Sequence, residues 1–273
     1  MMNTVYLYGR YLSVSVRSQM QYRASFVMLA LGYMVTTGLE FVAILVLFDR
    51  FGTLVGWKLH EVAFIYGLVN ISFAFADAMS RGFDLFGTMV KSGEFDRLLT
   101  RPRSTALQLA GQELTLRRVG RLAQGLIVLV WASVGLELDW SVFKVGMLLA
   151  TVAGGICLFM ALVILQATLA FWTTETLEIM NTVTYGGVET TQYPISIYHP
   201  WFRRFFTFGV PLACISYFPS LAIMGVADPL GSPVWFGYVC PAIGVGFLIV
   251  ALQVWKFGVR HYLSTGSEGV DAR

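Results

Sequence analysis

Residues 26–48 have the sequence FVMLALGYMVTTGLEFVAILVLF, an apolar run that only Thr36, Thr37 and Glu40 interrupt. A helix needs about 20 mostly apolar residues to cross the hydrocarbon layer of a bilayer. This run is long enough to do so, and similar runs follow it. The sequence therefore predicts a multi-pass membrane protein with an all-α fold.

Four further apolar runs are candidate spans, at residues 62–79, 122–138, 145–172 and 234–257. The stretch between the last two is ambiguous. Either residues 205–226 cross the membrane despite Pro211 and Pro219, or the more polar residues 174–195 cross as a protein-buried helix. In the second alternative, residues 205–226 dip into the membrane and return on the same side, which is tolerated where protein shields the backbone. Both alternatives give six crossings.

The composition excludes most other classes of protein. Of the 273 residues, 56% are hydrophobic and only 13% are charged, about half the charged fraction of a soluble domain. The net charge of +3 provides no broad basic surface, so no nucleic-acid partner is expected. The cysteines and histidines form no pattern typical of a metal site. We therefore predict neither catalytic residues nor a metal site, and a single membrane domain over residues 1–273.

The distribution of lysine and arginine predicts the orientation, because basic residues are retained on the cytoplasmic side. The connection at 80–121 holds eight basic residues, whereas those at 49–61 and 137–144 hold two and one. Both termini and the 80–121 loop are therefore expected to be cytoplasmic. Residues 1–25 alternate apolar and polar positions at helical spacing, which is typical of an amphipathic helix lying along the inner leaflet.

Several acidic residues fall within or beside the predicted spans. An aspartate or glutamate exposed to lipid is costly, so Glu40 and Asp77 are expected to face the helix bundle. Glu175, Glu178 and Glu189 share one helical face. These glutamates either line a pathway for a cationic substrate or belong to a solvated helix. Four tryptophans near span ends are expected to be interface anchors: Trp57, Trp140, Trp201 and Trp235.

Within the long cytoplasmic loop, residues 91–102 have the sequence KSGEFDRLLTRP. Phe95, Leu98 and Leu99 lie at i, i+3 and i+4, which predicts a two-turn helix with one small apolar face. Gly93 permits a sharp turn into this helix and Pro102 prevents its continuation. Two turns are not stable alone in water. The segment must therefore dock, either on a soluble partner or on its own bundle.

Three separated segments resemble the type-2 ATP-binding-cassette (ABC-2) transporter permeases, in the branch of uncharacterised and drug-type exporters. The run SGEFDRLLTRP at 92–102 is similar to the signature of their first cytoplasmic loop. Residues 193–204, YPISIYHPWFRR, with FGVP at 208–211 and YFP at 217–219, resemble a second conserved region. Residues 254–267, VWKFGVRHYLSTGS, resemble the closing segment. The three matches occur in the family's order and span nearly the whole chain.

The resemblance implies six membrane helices, an amphipathic helix before the first, and a dimer of permeases around a central pathway in the cytoplasmic (inner) membrane. It also implies a coupling helix that sits in a groove of a separate ATPase. The residues assigned to this coupling segment are Gly93, Glu94, Phe95, Asp96, Arg97, Leu98, Leu99, Arg101 and Pro102. The resemblance assigns Pro194, Trp201, Pro211 and Pro219 to an outward re-entrant gate (193–226). The acidic residues assigned to the substrate pathway because of their charge and position are Glu40, Glu178 and Glu189. The re-entrant gate favours residues 174–195 as the fifth crossing.

The sequence contains no Gly-x4-Gly-Lys-(Ser/Thr) motif, which is the usual phosphate-binding loop of an ATPase. The chain is therefore expected to bind no cofactor itself, with ATP and Mg²⁺ bound by the partner ATPase. The predicted function is export of a small, amphipathic or cationic substrate by a homodimer or heterodimer of permeases. An alternative is a proton-coupled secondary transporter, in which Glu40, Asp77 or Glu189 would titrate and no ATPase would be needed.

Overall fold

The computed structural model describes residues 4–112, 115, 118–172 and 177–262, without the side chains of residues 4–8, 11, 12, 15 and 177–183. All regular secondary structure in these ranges is helical. The α-helices are α1 (Thr4–Gln19), α2 (Arg23–Phe51), α3 (Leu59–Asp84), α4 (Phe86–Lys91), α5 (Glu94–Leu99), α6 (Thr105–Gln112), α7 (Val119–Gly135), α8 (Val142–Leu169), α9 (Leu177–Thr191), α10 (Pro200–Arg204), α11 (Tyr217–Met224) and α12 (Val234–His261).

Among the described residues, four helical stretches are long and apolar enough to cross a membrane: Val16–Phe51, Leu59–Lys91, Val142–Leu169 and Val234–His261. A fifth arises if the pair Pro200–Gly209 and Leu212–Met224, bent by 70°, counts as one span. The apolar α7 has 17 residues and is about 25 Å long at 1.5 Å per residue. The predicted all-helical, multi-pass architecture is thus confirmed for this part of the chain.

The predicted apolar runs correspond to helices, with one exception. Residues 26–48, 62–79 and 234–257 lie inside α2, α3 and α12, and most of the runs at 122–138 and 145–172 lies in α7 and α8. Residues 205–226 instead form a π-helical turn, a 3-10 turn and α11. Pro211 lies between the two turns, where it cannot supply the backbone N–H that a continuous helix needs.

α3 is the central helix of the bundle. The most apolar 18-residue stretch of the Leu59–Lys91 span, which includes α3, is 83% buried, whereas that of the Val16–Phe51 span, which includes α2, is only 17% buried. α7 and α8 pack against α3, α2 covers α7, and α12 lies beside α8. Phe64 and Ile65 of α3 are both fully buried. A helix that is apolar all round belongs in such an interior position, whereas α2 carries its exposed apolar side chains on the outside.

Glycines allow two of these helix pairs to approach closely. A Cβ at Gly244 of α12 would lie 2.1 Å from the carbonyl oxygen of Gly154 in α8. A Cβ at Gly67 of α3 would lie 2.9 Å from the backbone nitrogen of Leu129 in α7. Small residues at such crossings are typical of membrane helix packing, because close backbone approach maximises van der Waals contact.

The end of the bundle where α3 begins is called the Trp57 end. The turn between α2 and α3 is closed by two backbone hydrogen bonds of 3.0 Å between Leu54 and Trp57. The Trp57 indole donates to Ser196 Oγ at 2.9 Å, and its ring centroid lies 5.7 Å from that of Tyr217. Trp57 is only 3% exposed. The expectation that it anchors the membrane interface is therefore wrong, because the turn directs its ring inward.

The opposite end is called the Trp255 end. There Trp255 of α12 packs against Phe83 and Phe86, with ring centroids 5.4 and 4.8 Å away. α3 ends and α4 to α6 follow at this end, and α1 contacts α6. The helix predicted within residues 1–25 is present as α1, although the apolar stretch that continues into α2 already begins at Val16.

Candidate functional site

The segment that resembles the coupling region folds as two short helices. Gly93 adopts φ +71°, a left-handed conformation that separates α4 from α5, and glycine reaches it without steric cost. α5 covers Glu94–Leu99. Residues 101–103 form a bend, where Pro102 excludes continuation of the helix. The predicted two-turn helix and its sharp entry are thus present.

The inner face of α5 lies in an aromatic cluster at the Trp255 end. Phe95 is fully buried, and its ring centroid lies 4.9 Å from Phe86 and 5.1 Å from Tyr262. Phe171 and Trp255 follow at 5.7 and 6.4 Å. These residues come from α4, the end of α8 and the end of α12. Phe95 therefore joins the coupling segment to three parts of the bundle.

Polar bonds fix the segment further. The Gln108 amide of α6 donates to the carbonyl oxygens of Leu98 and Arg103, both at 3.2 Å. The Trp255 indole donates to Thr105 Oγ1 at 3.0 Å. The connection between α5 and α6 is thus tied to both helices, and α6 is tied to α12.

These contacts correct one detail of the predicted docking surface. Phe95 and Leu98 are buried by the chain's own helices, and only Leu99 of the predicted apolar ridge is exposed, at 40%. Phe95 and Leu98 are shielded from water by packing on the chain's own bundle, which is one of the two docking alternatives that the sequence leaves open. The surface that α5 and the following bend present outward consists of Glu94, Arg97, Leu99, Thr100, Arg101 and Pro102. Asp96 is half-buried.

A cleft of about 400 Å³ adjoins this outward surface. It lies between α5 and α6, and its lining includes Glu94, Arg97, Arg101, Gln108 and Gln112. Charged side chains of both signs surround it, while Leu98 and Met89 form its floor. The cleft has the size and polarity to receive side chains of a docking protein.

A second polar site lies within the bundle, around Arg121 of α7. Arg121 is 6% exposed. Its Nε donates to Asn70 Oδ1 at 2.7 Å, and its Cζ lies 4.8 Å from the centre of the Phe73 ring. Its Nη2 lies 3.9 Å from a carboxylate oxygen of Glu40 and 3.9 Å from one of Glu189. Helices α2, α3, α7 and α9 therefore converge on one guanidinium group.

Hydrogen bonding in this site is incomplete. The Tyr66 hydroxyl donates to the Thr37 carbonyl at 2.8 Å, and the Gln124 amide donates to Tyr66 Oη at 3.3 Å. Three buried atoms lack a hydrogen-bond partner in the described part of the chain: Glu40 Oε2, Arg121 Nη2 and Gln124 Oε1. The first two form an ion pair at 3.9 Å, which is too long for a hydrogen bond, and buried polar atoms without hydrogen bonds are costly. Their clustering marks a place where a water molecule or a polar ligand would be stabilised.

A second ion pair neighbours this site. Asp77 of α3 is 6% exposed and pairs with Arg118, whose Nη2 donates to Asp77 Oδ1 at 3.3 Å. The Arg118 guanidinium also lies 4.6 Å from the centre of the Tyr33 ring of α2. As expected, Asp77 and Glu40 both face the bundle.

The remaining predicted pathway residues are dispersed. Pro194, Pro211 and Pro219 are buried, and Trp201 is 65% exposed. The Glu178 side chain and the whole of Glu175 lie outside the described residues.

Arg121 was missed as a site residue because its position beside other basic residues suggested a loop. The informative signal was the presence of acidic residues inside predicted spans, which usually pair with a cation.

A family model described as "ABC-2 family transporter protein" matches residues 34–266. Neither the curated proteins nor the solved structures gave a match. The family match covers most of the chain and includes both the α5 segment and the Arg121 site, and it favours a transporter subunit over a proton-coupled carrier. The chain belongs to the ABC-2 transporter family and is a multi-pass membrane permease of an ABC transporter.

Proposed function

We propose that this chain is the membrane subunit of an exporter in the cytoplasmic (inner) membrane, driven by a separate ABC ATPase that binds ATP and Mg²⁺. Membership of the ABC-2 family supports association with such an ATPase. The resemblance favours a homodimer or heterodimer of permeases. The observation that carries the proposal is the two-sided arrangement of α5, which is buried against the bundle on one face and exposed on the other.

The two faces of α5 have different roles, one in binding the ATPase and the other in transmitting its movement to the bundle. The outward face, with Arg97, Leu99 and Arg101, contacts the ATPase. The inward face, through Phe95, transmits displacement to α4, α8 and α12, whose aromatic side chains surround it. Packed interiors have low compressibility. A movement of α5 would therefore shift these helices and would not be absorbed locally.

A charge reversal on the outward face tests this assignment. We expect the full-length variant Arg97→Glu/Arg101→Glu to lose co-purification of a polypeptide that carries Gly-x4-Gly-Lys-(Ser/Thr) and hydrolyses ATP. Both side chains are exposed, so insertion and folding should be unaffected. Affinity purification from the native membrane, followed by mass spectrometry and an ATPase assay, measures the loss.

The matched control is Arg50→Glu/Lys58→Glu, which reverses two charges at the Trp57 end. This control should retain the ATPase. Retention of the ATPase by Arg97→Glu/Arg101→Glu, at the level of the control, would refute contact through the outward face.

We further propose six crossings, with residues 174–195 as the fifth, and with both termini and the Trp255 end on the cytoplasmic side. Three contacts support this path. Tyr185 packs on Phe73, Glu189 lies near Arg121, and Ser196 bonds Trp57. Residues 185–196 thus run from the level of the middle of α3 to the Trp57 end. The following bent segment leaves from and returns to that end, since Tyr217 also packs on Trp57.

Labelling from one side of the membrane tests this path. In a background in which Cys157, Cys214 and Cys240 are replaced by alanine, we expect Arg203→Cys to react with an impermeant maleimide applied outside intact cells. Arg101→Cys should react only after the membrane is opened. Labelling of Arg203→Cys only from the cytoplasmic side would instead assign the fifth crossing to residues 205–226.

The Arg121 site is the proposed substrate pathway. Glu40 and Glu189 together with Arg121 leave one negative charge in excess, and their side chains remain 34% and 56% exposed. A site of this kind favours a small amphipathic cation, which would displace part of the Arg121 interaction with either carboxylate. The buried Pro194, Pro211 and Pro219 and the exposed Trp201 belong to the proposed exit gate. Glu178 is retained as a pathway residue because the sequence places it on the same helical face as Glu189.

A further inference from the structure

A surface pocket at the Trp255 end adjoins the α5 segment, with which it shares Trp255, but it lies apart from the outward face of α5 and from the Arg121 site. It has a volume of about 590 Å³ and lies between one face of α12 and the beginning of α6. The lining combines basic, hydroxyl and aliphatic side chains, among them Arg103, Thr105, Ile249, Leu252, Lys256 and Arg260. Neither the α5 contact surface nor the Arg121 site needs this pocket.

The charged side chains that line the pocket are all basic. Arg103, Lys256 and Arg260 line it, and among the described residues of its lining there is no aspartate or glutamate. Lys256 and Arg260 are exposed. Ser104 and Thr105 contribute hydroxyl groups, and the bond from Trp255 fixes Thr105 in position. The pocket is therefore complementary to an anion with several oxygen atoms.

The apolar side chains of the pocket lie at a different depth from the basic ones. Lys256 and Arg260 follow Ile249 by 7 and 11 residues on α12, which places them roughly 10 and 16 Å farther along the helix axis. Ile249, which is 55% exposed, and Leu252 thus lie on the apolar flank of α12, farther from the Trp255 end than the charged side chains. A free inorganic anion would use only the charged part.

On the proposed orientation, in which the Trp255 end is cytoplasmic, we propose that this pocket binds an anionic phospholipid of the cytoplasmic leaflet. The phosphate lies between Lys256, Arg260 and the Thr105 hydroxyl, and an acyl chain covers Ile249 and Leu252. Basic pockets at the cytoplasmic ends of membrane helices are suited to such headgroups. Because Trp255 and Thr105 join α12 to α6, a bound lipid stabilises the corner of the bundle on which α5 rests.

The test uses the full-length protein in detergent, titrated with phosphatidylglycerol or phosphatidylcholine and followed by native mass spectrometry. We expect a preference for phosphatidylglycerol. The variant Lys256→Gln/Arg260→Gln should bind phosphatidylglycerol about 30-fold more weakly, because each basic side chain near an anionic lipid contributes about a factor of five. Binding of phosphatidylcholine should not change. Both side chains are exposed, so the variant should fold normally.

Two further measurements distinguish the alternatives. The matched variant Arg50→Gln/Lys144→Gln removes two positive charges at the Trp57 end and should retain the preference. Excess inorganic phosphate should fail to displace the lipid, since it makes no contact with Ile249 and Leu252. Displacement by phosphate would indicate a simple anion site and overturn the proposal. An unchanged preference in Lys256→Gln/Arg260→Gln would overturn it too.

Discussion

The variant Glu40→Gln/Glu189→Gln is expected to be less stable than the wild-type protein by about 3 kcal/mol, the lower end of the usual cost of leaving a buried charge unpaired. Arg121 is 6% exposed and would keep its hydrogen bond to Asn70 but lose both of the carboxylates that balance its charge. The lower end applies because both carboxylates are partly exposed. Each single substitution should cost less, since the other glutamate remains 3.9 Å from Nη2. Denaturant titration of the detergent-solubilised protein measures the difference.

A third substitution makes this prediction specific. Adding Arg121→Met to the double variant removes the unpaired charge and keeps the side-chain volume similar. We expect the triple variant to regain much of the lost stability, because well-packed apolar replacements of a buried ionic cluster are often neutral or stabilising. If the double variant were as stable as the wild type, or the triple variant less stable than the double, Arg121 would not depend on these two carboxylates.

The second large effect is expected for Phe95→Ala. Phe95 is fully buried among Phe86, Phe171, Trp255 and Tyr262. Truncation of a buried phenylalanine costs about 3–5 kcal/mol, and here the lost contacts are those that hold α5 on the bundle. We therefore expect reduced stability together with loss of transport in the assembled complex, measured as ATP-dependent substrate movement in proteoliposomes.

Leu99→Ala is the matched control, on the same helix but on the outward face, where Leu99 is 40% exposed. It should leave stability within about 0.5 kcal/mol of the wild type, as surface substitutions usually do, and should weaken ATPase binding. The reverse pattern, with a stable Phe95→Ala and an unstable Leu99→Ala, would contradict the orientation of α5.

Hydrophobic patterning predicted most of the helices because long apolar runs have few alternatives to a membrane span. It also located α5, since Gly93 and Pro102 bound a two-turn apolar pattern. It did not show which surface buries Phe95. The aromatic partners Phe171, Trp255 and Tyr262 lie more than 70 residues away in the sequence, and a local helical pattern carries no information about such contacts.

The Arg121 site shows a similar limit. Glu40 was recognised as an intramembrane acid, but its partner was counted among the basic residues of the cytoplasmic loop. Charge counting assigns residues to a side of the membrane, whereas a long arginine side chain at a helix end reaches inward to Asn70 and the two glutamates. Trp57 was misassigned for a comparable reason, because proximity to a span end does not reveal the bond to Ser196.

We propose that a separate ATPase acts on the outward face of α5 while Phe95 holds the inward face in the bundle, and cross-linking in the complex with the ATPase tests this arrangement. Single cysteines are placed at Leu99 or at Phe95 in the cysteine-free background, and a short photoactivatable cross-linker is attached to each. We expect a cross-link from Leu99→Cys to the ATPase and, from Phe95→Cys, cross-links only within the permease. A cross-link to the ATPase from Phe95→Cys, or none from Leu99→Cys in a complex that hydrolyses ATP, would contradict it.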